Sequence, residues 1–170
     1  MVVRTVHGAG TRNTLGNMDM RQLTEDDLEL IAKAEEAIDA NADVEGGVHT
    51  VGAAVRDAEG RIHVGVNVYH FTGGPCAELV ALGTARTAGA RHLTAIVAVG
   101  DSGRGVKAPC GRDRQVLADY HPTIRVIVPT PLGVRNVSIG DLLPLGFDWL
   151  AEVKAAGDAA NSVVGSGGTQ

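Results

Sequence analysis

The chain has 170 residues, with 15 Lys+Arg against 20 Asp+Glu and a net charge of −5, a length that suits one domain burying roughly 70% of its unfolded surface. Hydrophobic residues at 44% and charged residues at 21% exclude disorder for the bulk of it, and the acidic balance excludes a basic, nucleic-acid-coating face. Two cysteines are too few for a secreted disulfide framework, and the apolar runs are strand-sized, too short to span a bilayer.

Residues 1–22 show no period and are expected to form a flexible lead-in. Arg4, His7 and Arg12 interrupt any apolar region there, so no signal peptide is expected and the protein reads as cytoplasmic. Thr24 starts a helix as a hydroxyl cap, and Glu25, Asp26 and Asp27 in its first turn favour the positive helix end. Leu28, Ile31, Ala34, Glu35 and Ile38 follow at helical spacing, and Asn41 and Gly46-Gly47 end the element. Val48–Arg56 and Arg61–His70 are extended runs around Asp57-Ala58-Glu59-Gly60, a hairpin; in the second, Ile62, Val64, Val66 and Val68 alternate with His63, Gly65 and Asn67.

Gly73-Gly74-Pro75 breaks that strand, and Cys76–Ala90 has the composition of a buried helix. Thr94–Val99 and Ile124–Val128 are apolar runs flanking a helical Arg112–Tyr120. Strands alternating with short helices imply an α/β sandwich with at least one parallel crossover. Residues 138–156 read as helical around Pro144, and the Gly-, Ser- and Ala-rich stretch 157–170 as a disordered tail. The folded domain is thus expected over 23–156. Tyr69, Phe71, Tyr120, Phe147 and Trp149 are the aromatic residues, 3% of the chain, so the core must be built from Ala, Val, Leu and Ile.

Two segments carry the chemistry: Pro75-Cys76-Ala77-Glu78 and Pro109-Cys110-Gly111-Arg112-Asp113. Each follows a strand and opens a helix. On neighbouring strands the two helix starts converge, placing both thiols where the helix dipole lowers the pKa and favours thiolate, the form that binds zinc. A catalytic zinc site needs three protein ligands and one open position. Cys76 and Cys110 supply two, and Asp113, one helical step after Cys110, can reach the same point. Glu78 can face the open position without being a ligand, take a proton from water and hand it to a leaving amine. The residues taken singly have plainer readings: inert buried thiols, a helix-capping Asp113 and a first-turn acid at Glu78. What favours the site is that all four fall at two junctions with matching Pro-Cys openings.

The segment Gly65–Val80, containing Asn67-Val68-Tyr69-His70-Phe71-Thr72-Gly73-Gly74-Pro75-Cys76-Ala77-Glu78, closely resembles the blasticidin S deaminases, within the zinc-dependent cytidine deaminase superfamily. Pro109-Cys110-Gly111-Arg112, Arg114-Gln115-Val116-Leu117 and Leu142-Leu143-Pro144 before Trp149 extend the resemblance to about residues 24–150. It implies a three-layer sandwich, a mixed five-stranded sheet between helices, assembled as a homotetramer. It implies a Zn2+ cofactor and hydrolytic deamination of the cytosine ring of a small nucleoside to uracil, with release of ammonia. Cys76 and Cys110 match family zinc ligands, and Glu78 matches the proton-shuttling glutamate. Arg104 matches a substrate-contacting arginine, Asn67 a sugar-holding asparagine and Phe147 an aromatic that closes the pocket, with Trp149 following as in the family. Backbone groups near Ala77 and Pro109 are expected to orient the amine.

Three positions bear on the substrate or the metal. Asp113 stands where the family has cysteine, and its oxygen, a harder donor than a thiolate, should leave zinc more electron-poor at some cost in affinity. His49 stands where blasticidin S deaminases carry a small hydroxyl residue and cytidine deaminases an aromatic. Tyr69 stands where cytidine deaminases place a ribose-holding glutamate, which favours a modified sugar. Deamination of another amino-heterocycle, or a metal-poor nucleoside-binding relative, are the rival readings.

Overall fold

The computed structural model of the protein describes residues 18–43 and 45–156. The expected tail, 157–170, and most of the expected lead-in, 1–17, lie outside the described residues.

Strand β4 (Leu93–Gly100) is the axis of the sheet. Its period of two sends Ile96 and Ala98 into one core cluster, and Val97 and Val99 into another on the opposite face. Strand β2 (Val51–Asp57) pairs with it antiparallel along its length, and β3 (Ile62–Val66) pairs antiparallel with the outer side of β2. The other side of β4 is shared. Strand β6 (Arg125–Thr130) runs parallel to it over Ala95–Val97, and β5 (Gly105–Lys107) takes over antiparallel across Ala98–Gly100. Strand β7 (Gly133–Ser138) and finally β1 (Met20–Arg21) extend the sheet beyond β6.

The architecture is the expected α/β sandwich with a mixed sheet and a parallel β4-to-β6 crossover. The sheet has seven strands among the described residues, not five. The two extra strands span only Met20–Arg21 and Gly105–Lys107, too short to carry a period. They exist because Met20 meets Val137 and Lys107 meets Ala98, partners that local pattern does not name. Met20 also packs on the core, so the fold reaches back into the segment expected as a lead-in.

Helix α1 (Glu25–Asp39) covers one face. Thr24 caps it as expected, its hydroxyl accepting from the Asp27 N–H while the Asp27 carboxylate accepts from the Thr24 N–H. The buried stripe is Leu30, Ala34 and Ile38, one turn apart, whereas Leu28 is 54% exposed. Helices α2 (Ala77–Thr87), α3 (Gly111–Tyr120) and α4 (Ile139–Leu142) contribute Ala77, Ala81, Ala85, Leu117 and Ile139 to the opposite core. Alanine at every fourth residue lets α2 lie close to the sheet. A Cβ at Gly65 would stand 2.4 Å from the Ala81 nitrogen, so only glycine tolerates this approach. The expected 138–156 helix is divided at Pro144-Leu145, where Leu145 adopts φ 58°, and helix resumes over 149–156. No helix among the described residues is long and apolar enough to cross a membrane.

Candidate active site

Strands β3 and β4 flank β2, both antiparallel to it and therefore parallel to each other; α2 follows β3, and α3 follows the short β5 paired to the carboxyl end of β4, so both helices begin near the same end of the sheet. Ligand crevices in α/β sheets form at such carboxyl ends. Here the convergence opens a cleft of ≈ 290 Å³ whose lining includes Asn67, Tyr69, Cys76, Glu78, Cys110 and Asp113. Its first wall turns tightly: the Val68 N–H donates to the Pro75 carbonyl, and any Cβ at Gly74 would collide with the Val68 carbonyl.

Cys76 and Cys110 are the N-cap residues of α2 and α3. Their Sγ atoms lie 3.7 Å apart, and the donor atoms of Cys76, Cys110 and Asp113 all fall within 4.8 Å of one another. Two thiolates on a tetrahedral zinc, at Zn–S near 2.3 Å, would be separated by ~3.8 Å. Asp113 is 1% exposed; its Oδ2 accepts from the Cys110 N–H at 3.2 Å, and its Oδ1 is buried without a hydrogen-bond partner. An orphaned carboxylate oxygen is costly unless a cation or donor meets it. The set of two sulfurs and one oxygen therefore fits zinc.

In the metal-free site, other influences oppose the helix end at Cys76. Burial, then the nearby Asp113 carboxylate, then Cys110, push its thiol up to about 12. Anionic donors crowded together oppose further ionisation, and the helix end does not offset them. Glu78 is 6% exposed, and burial followed by the Asp113 charge pushes it up to about 7. A carboxyl poised near neutrality both takes and returns protons.

Ala77, Asn67 and Tyr69 join Cys76, Glu78, Cys110 and Asp113 in the cleft lining. Asn67 is also a staple: its Oδ1 accepts from the Thr50 and Val51 N–H groups, and its Nδ2 donates to the Val48 carbonyl. Tyr69 is 66% exposed at the rim. The other expected substrate residues lie outside the lining. His49 places Nδ1 2.7 Å from the Asn67 carbonyl. The Arg104 guanidinium is committed to Asp101 and to the Thr50 carbonyl. Pro109 is buried, its carbonyl accepting from Arg114. Phe147 and Trp149 are 60% and 55% exposed beyond α4, and Phe147 lines a separate groove beside α3. Val51, Val68, Lys107 and Ala108 line the cleft without having been singled out from the sequence. Val68 and Ala108 adjoin residues that were, Asn67 and Pro109, whereas Val51 and Lys107 reach the cleft only through strand pairing.

No protein-family model matches the chain. A blasticidin-S deaminase of Bacillus cereus is 32% identical over 134 residues, 74% of this chain and 94% of the relative. A cytidine deaminase of Halalkalibacterium halodurans is 36% identical over 101 residues, 57% of this chain and 76% of the relative. The crystal structure of a cytidine deaminase from Burkholderia pseudomallei matches with a TM-score of 0.59 at 36% identity, covering 74% of this chain and 100% of that one. Sequence similarity over nearly the whole of one relative, joined to a shared fold, places the chain in the family of blasticidin-S and cytidine deaminases.

Proposed function

We propose that the protein is a zinc-dependent aminohydrolase that converts the cytosine ring of a nucleoside, blasticidin S-like or cytidine-like, to the uracil product and ammonia. The observation that carries this reading is a buried carboxyl, Glu78, beside a Cys76–Cys110–Asp113 cluster in which one carboxylate oxygen lacks a partner. Family membership supports it.

Cys76, Cys110 and Asp113 would hold the metal, which when bound supplies Lewis acidity that makes water nucleophilic at neutral pH. Glu78 accepts the proton of the attacking water on its carboxylate and delivers it to ring N3. A second transfer through the same oxygens protonates the departing amine. Backbone groups at Ala77 and Pro109 orient that amine, and Asn67 and Tyr69 face the sugar. His49, Arg104, Phe147 and Trp149 lie outside the cleft lining and in this reading act on the substrate from beyond it. The catalytic domain in this reading spans residues 23–156, with β1 joining its sheet from the segment before it, and the protein works in the cytoplasm as a homotetramer. Exposed Leu145, Phe147, Trp149 and Leu150 support an assembly that covers them.

Zinc quantification on the purified chain, combined with ammonia release from cytidine and from blasticidin S, tests the proposal. Stoichiometric zinc with turnover of either substrate is expected. A metal-free chain inactive on both, even after zinc is added, would overturn it.

A further inference from the structure

The β4–β5 hairpin beside the cleft carries two cations, Arg104 and Lys107, in different circumstances. Arg104 is neutralised: Nε and Nη2 reach Asp101, and Nη2 also donates to the Thr50 carbonyl. Lys107 is half-buried and lines the cleft. Its Nζ donates to the Arg104 carbonyl at 2.7 Å, and among the described residues no carboxylate oxygen lies within 4.0 Å of it. The stem is held in place, because Cε packs over Gly100, where a Cβ would stand 2.8 Å from it. An ammonium has three N–H groups, so two remain to donate. A positioned, half-buried cation without a counter-charge is a recognition element for an anion.

The acids Glu78 and Asp113 are buried in the same cleft, and the reacting end of a cytosine must lie against Glu78. The remainder of the nucleoside is left to the groups farther along the wall. We propose that Lys107 is a specificity-determining residue that recognises an anionic substituent, a carboxylate or a phosphate, carried on the sugar of the cytosine nucleoside. The inference rests on the deaminase reading above. It concerns which nucleoside is taken, not how the ring reacts.

The test compares the zinc-loaded full chain with Lys107→Met, Lys107→Glu and Lys107→Arg on three substrates: cytidine, cytidine 5′-monophosphate and the 5′-carboxylate of cytidine. The parent is expected to prefer at least one anionic substrate, and which one identifies the group recognised. In Lys107→Met the anionic-to-neutral ratio of kcat/KM should fall about tenfold, mainly through KM. It should fall further in Lys107→Glu and persist in Lys107→Arg. A parent without anionic preference, or a ratio unchanged across the variants, would overturn the role. If the parent deaminates none of the three, the functional reading fails on its own. Calorimetric binding of the same three compounds then decides the lysine's role by the same ratio.

Discussion

The two strand-to-helix junctions share a grammar and put it to opposite uses. Each has proline, then a cysteine as N-cap, then an acid in the first helical turn. At the second junction the acid is the third helical residue, the position from which a side chain folds back to the cap N–H. Asp113 does so: one oxygen is fixed on Cys110 and the other is left facing the thiols. At the first junction the acid is one residue earlier. Glu78 cannot reach back to its cap, and among the described residues no side-chain or cap donor fixes its carboxylate. One residue of spacing separates an acid held on its helix cap from a buried acid that meets only its own backbone N–H.

The largest expected effect breaks the Glu78 side. Glu78→Gln keeps the shape and removes the proton, so turnover should fall by about 10⁴-fold, the upper end for a positioned acid–base group. Ammonia release reads this, and activity within a few-fold of the parent would remove Glu78 from the reaction.

Breaking the locked side should act on the metal. Asp113→Asn retains an oxygen for the Cys110 N–H but loses the anionic donor, and should purify zinc-depleted and inactive. Full zinc occupancy in it would assign Asp113 to capping alone. Asp113→Cys should tighten zinc, and in the metal-free protein should melt about 1 kcal/mol less stable for want of the cap.

Gly65→Ala displaces one junction and spares the other. The new Cβ meets the α2 backbone beside Ala81, and such overpacking costs about 1–3 kcal/mol. Denaturant melts would show the loss, and an unchanged midpoint would mean that α2 is free to shift.

The smallest effect concerns an acid with a full set of partners. Burial opposes ionisation of Asp57, but hydrogen bonds from His63, the Arg61 N–H and the Arg61 guanidinium outweigh it and bring the carboxyl from 3.8 to about 2. Its folded value lies below its ordinary one, so ionised Asp57 stabilises the fold fully above 3.8. That contribution is lost as pH falls towards about 2. Asp57→Asn should flatten this part of the acid-unfolding curve, as followed by far-UV circular dichroism.

The elements whose pattern is local were legible in the chain. Thr24 and Asp27 announce the start of α1, and continuous apolar runs announce β4 and β6. The Pro-Cys pairs mark where the two cleft helices begin. What was not legible depends on distant partners. The α1 face is set by Leu30 rather than Leu28 because the sheet chooses the stripe. In β3, His63 and Gly65 are the buried residues while Val64 is 38% exposed, because Asp57 and the α2 backbone wait on that side. Lys107 escaped attention for the same reason: a lone lysine in a short run becomes meaningful only when β4 brings it to the cleft. Arg104 was marked by resemblance and His49 by a departure from it, and their hydrogen bonds to the Thr50 and Asn67 carbonyls could not be read from spacing.

The alanine- and valine-rich core has an optical consequence. Tyr69, Phe71, Tyr120, Phe147 and Trp149 are all more than half exposed, so the interior contains no chromophore. Emission from Trp149 reports the segment after α4 rather than the melting of the sheet. Tyr69 lies on the cleft rim, and its absorbance registers occupancy of that cleft. Unfolding of the hydrophobic layers is dark in fluorescence and is visible to calorimetry, hydrogen exchange or backbone dichroism.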